Sequence, residues 1–355
     1  MDVEPFALER WFARVEHEAD VMLAESGIRS LPASRFDTDP GDLGYVIPTN
    51  GDPDFRADVA ATYGRGNEEV LFTCGAQEAN LLAVLSLVDE GDHAVVVTPT
   101  YQSLRSLPDA VGEVTTVDLD PPGWDLDVDA VAGAMRPETT LVVLNNPNNP
   151  TGRYLDEGTV RAVYDVAADN GAYLLCDEVY RQLAQDPLPP VASMGEFGVS
   201  TTSVTKAYGL AGLRFGWLAG PPEVVEAAWN WKDYTTISPS AFGQHVARQA
   251  FDDRATILAE SRRLARDHRD RTRAFVERHD LAWYDPVGVN GFITVPDGFA
   301  TGQAFCERVV EEESVVLAPG DAFGQPDYVR LGFGLPTAEL EEGLARLDAF
   351  LSRHG

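Results

Sequence analysis

Between Glu69 and Ala219 the chain repeats one unit, a short apolar, β-prone run followed by a turn and a stretch of helical spacing. Strands are expected at Glu69–Cys74, Ala94–Val97, Glu113–Val117, Thr140–Leu144, Tyr173–Cys176, Thr202–Val204 and Gly216–Ala219. Helices are expected at Gln77–Leu87, Gln102–Val111, Val128–Met135 and Glu157–Asn170. Parallel strands need a long crossover and antiparallel ones do not, so this rhythm constrains the chain to an α/β fold. Its large domain is a mostly parallel sheet sandwiched by helices.

After Pro221-Pro222 the pattern changes to long helical runs, Arg254–Arg278 among them, with strands near Phe292–Val295, Val315–Leu317 and Tyr328–Leu331. This reads as a second, smaller α+β domain. Residues Pro5–Glu25 carry apolar side chains at close to helical spacing, and the helix they predict is expected to pack on that domain. The division is 1–44 for the N-terminal segment, 45–250 for the large domain and 251–355 for the small one.

A formal net charge of −30 over 355 residues excludes a nucleic-acid partner, because phosphate would be repelled across most of the surface. The acid is dispersed and lysine is almost absent, which resembles a surface adapted to high salt. No apolar run approaches the ~18 residues that span a bilayer, and Met1-Asp2-Val3-Glu4-Pro5 lacks the layout of a signal peptide. No membrane association and a cytoplasmic location are expected. Cys74, Cys176 and Cys306 are scattered without metal-like spacing, and no metal site is assigned.

Ligands of open α/β sheets bind beyond the carboxyl ends of the strands. Five of the expected strands end in polar, aromatic or charged groups: Gly75-Ala76-Gln77, Pro99-Thr100-Tyr101, Asn145 through Gly152, Asp177-Glu178-Val179-Tyr180, and Ser203-Val204-Thr205-Lys206. Lys206 is one of only two lysines, the other being Lys232. A lone lysine on a turn is most often a surface residue, but arginine cannot supply a nucleophilic amine in its place. A helix N-terminus at Ala76-Gln77, the Ser203 hydroxyl and the Arg214 guanidinium can hold a phosphate dianion. Tyr101 can stack on a flat heterocycle, Asp177 can keep a pyridine nitrogen protonated, and Asn149 with Tyr180 can hydrogen-bond a ring oxygen. With Lys206 as the amine, these parts describe a pyridoxal 5′-phosphate site.

Four stretches occur in the order and at the spacings of one family: Asn149-Pro150-Thr151-Gly152, Asp177-Glu178-Val179-Tyr180, Ser203-Val204-Thr205-Lys206, and Arg214 eight residues further. On them the chain resembles a class I/II aminotransferase of the aspartate aminotransferase superfamily, with the pyridoxal-phosphate-dependent transferase fold type I, from about Ala24 to Arg330. The resemblance implies that Lys206 forms the Schiff base and moves the proton, with Asp177 and Tyr180 the other catalytic groups. It implies cofactor binding by Ala76, Gln77, Tyr101, Asn149, Asp177, Tyr180, Ser203, Lys206 and Arg214. Tyr45 resembles the tyrosine that reaches the phosphate of a neighbouring subunit, so a homodimer with shared active sites is implied. Substrate binding is implied for Arg330, which would grip the α-carboxylate, for Asn149, and for Gly27, which would close over the substrate. The implied reaction moves an amino group between an amino acid and a 2-oxo acid by a ping-pong mechanism. The stretch Leu23-Ala24-Glu25-Ser26-Gly27 also resembles enzymes of the same superfamily that cyclise hydroxylated arginine, so a lyase or cyclase on this fold is the competing expectation.

Overall fold

The computed structural model describes residues 3–354. Met1 and Asp2, the head of the stretch compared above with a signal peptide, lie outside the described residues, as does Gly355. The first part of the chain runs α1 (Ala7–Val15), β1 (Val21–Met22), α2 (Pro53–Ala61), β2 (Val70–Thr73), α3 (Gly75–Leu87), β3 (His93–Thr98), α4 (Gln102–Val111) and β4 (Glu113–Asp118). It continues through α5 (Val128–Ala134), β5 (Thr139–Asn145), α6 (Glu157–Asp169), β6 (Tyr173–Asp177), β7 (Gly198–Ser203), β8 (Gly216–Ala219) and α7 (Pro222–Lys232). The remainder is α8 (Ala241–Asp252), α9 (Arg254–Arg278), β9 (Asn290–Thr294), α10 (Gly302–Glu313), β10 (Val315–Val316), β11 (Ala318–Pro319), β12 (Tyr328–Gly332) and α11 (Thr337–His354).

Seven strands form the main sheet in the order β2-β8-β7-β6-β5-β3-β4. β8 is antiparallel to both neighbours and the other pairings are parallel. Strand alternation sends successive side chains into different layers. Ala94, Val96, Leu141 and Val143 pack with α3 and α7, whereas Val95, Val97, Val142 and Leu144 pack with α6. Each of these Val and Leu side chains contributes about 1.5–3 kcal/mol on burial, and coverage of both faces is why these strands read as nearly unbroken Val/Leu runs.

Register decides where the polar strand ends meet. Asn145 on β5 lies beside Asp177 on β6, and Asp177 lies beside Thr201 on β7. The carboxyl ends of the central strands are therefore level, with the turns after them on one edge of the sheet.

A second sheet, β11-β12-β9, is antiparallel, and β1 pairs in parallel with β10. The single helix expected over Pro5–Glu25 is corrected here: α1 stops at Val15, and Asp20 and Val21 donate backbone hydrogen bonds to Ser314. Val21 and Leu23 are buried at strand spacing, a period-two signal that the wider helical pattern concealed. Past β1 the segment lies directly on the end of β12. Gly332 N donates to Leu23 O at 2.7 Å and Arg29 N to Gly334 O at 2.6 Å. A Cβ on Gly332 would fall 1.8 Å from Glu25 O, so only glycine permits this approach. No helix among the described residues is long and apolar enough to cross a membrane.

Candidate active site

The turn from β2 into α3 has a geometry that could receive an anion. Gly75 adopts φ +78°, and the N-cap residue Cys74 gives the helix no side-chain cap, which leaves the first-turn N–H groups facing outward without one. The Arg214 guanidinium lies over the turn: a Cβ on Gly75 would sit 2.9 Å from Arg214 Nη2. Arg214 itself holds φ +50°, a left-handed conformation that costs a non-glycine residue about 1–2 kcal/mol. Its Nη1 donates only to Ala211 O, at 3.1 Å, so its charge has no carboxylate partner among the described residues. An uncapped helix N-terminus, an unpaired guanidinium and the nearby Ser203 hydroxyl fit a phosphate dianion.

Asp177 closes β6 and is 5% exposed. One carboxyl oxygen accepts from Asn80 Nδ2 at 2.8 Å and the other from Val179 N at 3.1 Å. Burial pushes this carboxyl above its usual range, while the Asn80 bond, the Val179 N–H and the Lys206 charge oppose the shift. Asn80 is held in turn by the Thr201 hydroxyl, which donates to its Oδ1. A desolvated, aligned carboxylate of this kind is matched to a cationic ring nitrogen. Lys206 is half-buried, and its Nζ donates to Ser26 Oγ at 2.9 Å.

Arg330, on β12, is 1% exposed. Its Nη1 donates to Asn149 Oδ1 at 2.9 Å and its Nη2 to Ala24 O at 2.8 Å, while Nε has no partner among the described residues. Both partners are neutral. Burial lowers the basicity of the guanidinium, against the opposing influence of Tyr180, Tyr101, Glu25 and Glu9. A buried cation with no counter-ion among the described residues could receive a carboxylate. Tyr101 packs on Phe6 with ring centroids 4.9 Å apart and donates to Glu9 at 3.2 Å; burial moves its phenol upward.

One cleft of about 330 Å³ gathers Lys206, Asp177, Tyr180, Ala76, Gln77, Tyr101, Asn149, Ser203, Arg214 and Arg330. Gly27 is not among the residues lining the cleft, although an added Cβ there would contact Lys206 Cδ at 3.5 Å. Tyr45 is not part of the cleft and is 72% exposed. Asn80, Ser26 and Asn145 also line the cleft, although the sequence reading assigned a role to none of them. Asn80 was within reach, since it follows Ala76 by one helical turn and shares its face. Ser26 was not, because only the crossing of the N-terminal segment over β12 brings it to Lys206. Cys176 and Cys306 are buried, with burial raising both thiols, whereas Cys74 is only half-buried.

This fold and this cleft define a pyridoxal-phosphate-dependent enzyme of fold type I. The pattern of the family "Aminotransferase class I and II" matches residues 24–347, and the chain belongs to that family, whose members depend on pyridoxal 5′-phosphate. It is 33% identical to capreomycidine synthase of Streptomyces vinaceus, over 98% of this chain and 94% of that one. The structure of a PLP-dependent aminotransferase from Streptococcus suis superposes with TM-score 0.95 at 30% identity, covering 100% of this chain and 99% of that one. The PLP-dependent cyclase OrfR superposes with TM-score 0.90 at 28% identity and the same coverage.

Proposed function

We propose that the protein is an aminotransferase that moves an amino group from an amino acid to a 2-oxo acid in two half-reactions at the cleft. The observation that carries this reading is the joint opening of the Lys206 amine and the counter-ion-free Arg330 into one cavity with Asp177. The α3 N-terminus, Ser203 and Arg214 would hold the cofactor phosphate, Asp177 its ring nitrogen, and Asn149 and Tyr180 its phenolic oxygen. Bound there, pyridoxal phosphate supplies an electron sink for the charge left at the substrate Cα.

The chain's own groups would do the rest. Arg330 takes the α-carboxylate in a two-pronged grip, which fixes the orientation of the Cα–H bond. Lys206 Nζ removes the Cα proton and returns it at the far end of the transfer, and Ser26 Oγ supplies a hydrogen-bond acceptor for that amine between steps. Asn80 and Thr201 keep the Asp177 carboxylate aimed. The N-terminal segment from Leu23 to Arg29, clamped on Gly332 and Gly334, contributes Ala24, Glu25 and Ser26 to the wall of the cleft.

The test is a single half-reaction. The loaded enzyme, given one amino acid and no acceptor, should release one equivalent of the matching 2-oxo acid, and ammonia should not appear. A second reading, a lyase or cyclase, is supported by the likeness to capreomycidine synthase and to the OrfR cyclase. Turnover of many equivalents without any 2-oxo acid acceptor would favour it.

The division at 1–44, 45–250 and 251–355 is retained as part of this proposal, supported by the separate sheets and by the β1–β10 pairing. So is a homodimer. Leu43, Tyr45, Ile47 and Tyr234 are each more than 70% exposed, an apolar content that suits a covered face and leaves Tyr45 free to reach a neighbouring subunit. Sedimentation of the loaded enzyme at twice the chain mass is the expected result.

A further inference from the structure

The chain's other lysine is fully buried. Lys232, at the end of α7, is 0% exposed and pairs with Glu78 at 3.0 Å, a carboxylate whose side chain is only 7% exposed. Glu78 stands in the first turn of α3, the turn assigned above to the cofactor phosphate. Its carboxylate is saturated. Oε2 accepts from Cys74 N at 2.5 Å and from Lys232, and Oε1 accepts from the hydroxyls of Thr235 at 2.6 Å and Thr236 at 2.7 Å. Lys232 also donates to the Thr236 hydroxyl. Burial alone would raise the Glu78 carboxyl, but the Cys74 N–H, the threonine hydroxyls and the Lys232 charge together hold it below its usual range.

This arrangement poses an electrostatic problem at the helix terminus. A carboxylate in the first turn of a helix is favourable on its own, yet beside a phosphate dianion it is a like charge in a poorly solvated place. A buried ion pair contributes little net stability when compared with apolar packing. Its effect is therefore to be sought in what it does to the anion receptor. Glu78 holds the Cys74 N–H so that the turn keeps one shape, and Lys232 removes the field that Glu78 would otherwise direct at the phosphate.

We infer that Lys232 is a positioning residue of the cofactor site, the counter-charge that lets Glu78 fix the α3 turn without repelling the phosphate held there. The inference rests on the assignment of that turn to the phosphate. It also accounts for both lysines of the chain: Lys206 supplies the amine and Lys232 guards the phosphate end.

The experiment compares binding of pyridoxal phosphate with binding of pyridoxal, which lacks the phosphate, to full-length protein stripped of cofactor. The readout is the ratio of the two dissociation constants, which isolates the phosphate from the rest of the ring. In K232M the preference for the phosphorylated form should fall about tenfold or more, because an uncompensated carboxylate remains beside the dianion. In E78Q, where an uncompensated ammonium remains, the preference should rise. Opposite signs are the signature of a charge effect, whereas a merely structural role would move both variants the same way.

A preference unchanged in both variants, or lowered in both, overturns the inference. If K232M does not fold, the direction found in E78Q decides, and anything but a rise overturns it. A wild-type protein that binds pyridoxal as tightly as its phosphate would instead overturn the assignment of the turn, and the inference with it.

Discussion

Arg330 offers the sharpest test of the substrate assignment, because its surroundings predict a large effect on binding and a small one on the free protein. The variant is Arg330→Met, which keeps an unbranched chain of similar reach and deletes the charge. In the free enzyme the guanidinium is 1% exposed and, among the described residues, bonded only to Asn149 Oδ1 and Ala24 O, with Nε unpartnered. Removing it sacrifices two hydrogen bonds but also relieves a buried charge with no counter-ion. These terms oppose each other, so the free protein should change in stability by no more than about 2 kcal/mol.

Substrate binding has no such compensation. Two charge-assisted bonds to a carboxylate are worth about 1.5–3 kcal/mol each, so roughly 3–6 kcal/mol is lost. At about 1.4 kcal/mol per factor of ten, kcat/KM should fall by ~10²–10⁴, with most of the loss in KM. The assay is the single half-reaction with varied amino acid, combined with thermal unfolding. A carboxylate ligand at one hundred times its Kd should stabilise the wild type by about 2.7 kcal/mol and the variant not at all. A KM within threefold of wild type, or a ligand that stabilises both proteins equally, would show that Arg330 does not bind the substrate carboxylate.

Four further outcomes are expected. Lys206→Ala should fold and still bind the cofactor noncovalently, but lose ~10²–10⁴-fold in rate, measured in single turnover with added cofactor. Asp177→Asn should abolish activity yet raise the thermal stability of the cofactor-free protein at pH 7. The sign follows from burial, which raises this carboxyl: the acid form favours folding, and that contribution is lost as pH rises through the raised value. The gain should accordingly vanish in acid, near the unfolded carboxylate range of about 3.9. Asn80→Ala removes a charge-assisted bond worth about 1.5–3 kcal/mol to Asp177, so kcat should drop ~10- to 100-fold while KM for the amino acid stays near wild type. Gly332→Ala would force the N-terminal segment off β12, since the new Cβ lands 1.8 Å from Glu25 O. A cost of about 1–3 kcal/mol in stability and a raised KM are expected from denaturant titration and steady-state kinetics.

Local chemistry made much of this protein legible before its structure. Apolar runs and helical spacing separated most strands from helices between Val70 and Ala219, because a parallel sheet covered on both faces leaves few ways to arrange Val/Leu runs between amphipathic helices. The exception is β7, expected at Thr202–Val204 and found at Gly198–Ser203, whose largely polar sequence carries little hydrophobic signal. Many of the groups that gather at the cleft also announce themselves, since Ala76, Gln77, Tyr101, Asn149, Asp177, Tyr180, Ser203 and Lys206 stand at or just after the ends of main-sheet strands, whereas Arg330 comes from β12 of the second sheet. Where the chain failed to declare itself, the cause was non-local. The strand at Val21–Met22 exists only because Ser314–Val316 is there to pair with it, and the helical spacing around it could not say so. Ser26 reaches Lys206 because two glycines more than 300 residues away let backbone approach backbone.

The two lysines mark the same boundary. Their scarcity is a property of the sequence, and it singled out Lys206 as an amine on a polar strand end. What Lys232 does was decided by the tertiary structure alone, because its partner Glu78 stands 154 residues earlier and the two meet only when α3 and α7 pack on one face of the sheet. Sequence carries side-chain chemistry and the local period of the backbone. Which charges end up facing one another in the absence of water is set by packing, and that is what gathers the α3 turn, the buried Arg330 guanidinium and the aligned Asp177 carboxylate around one cleft.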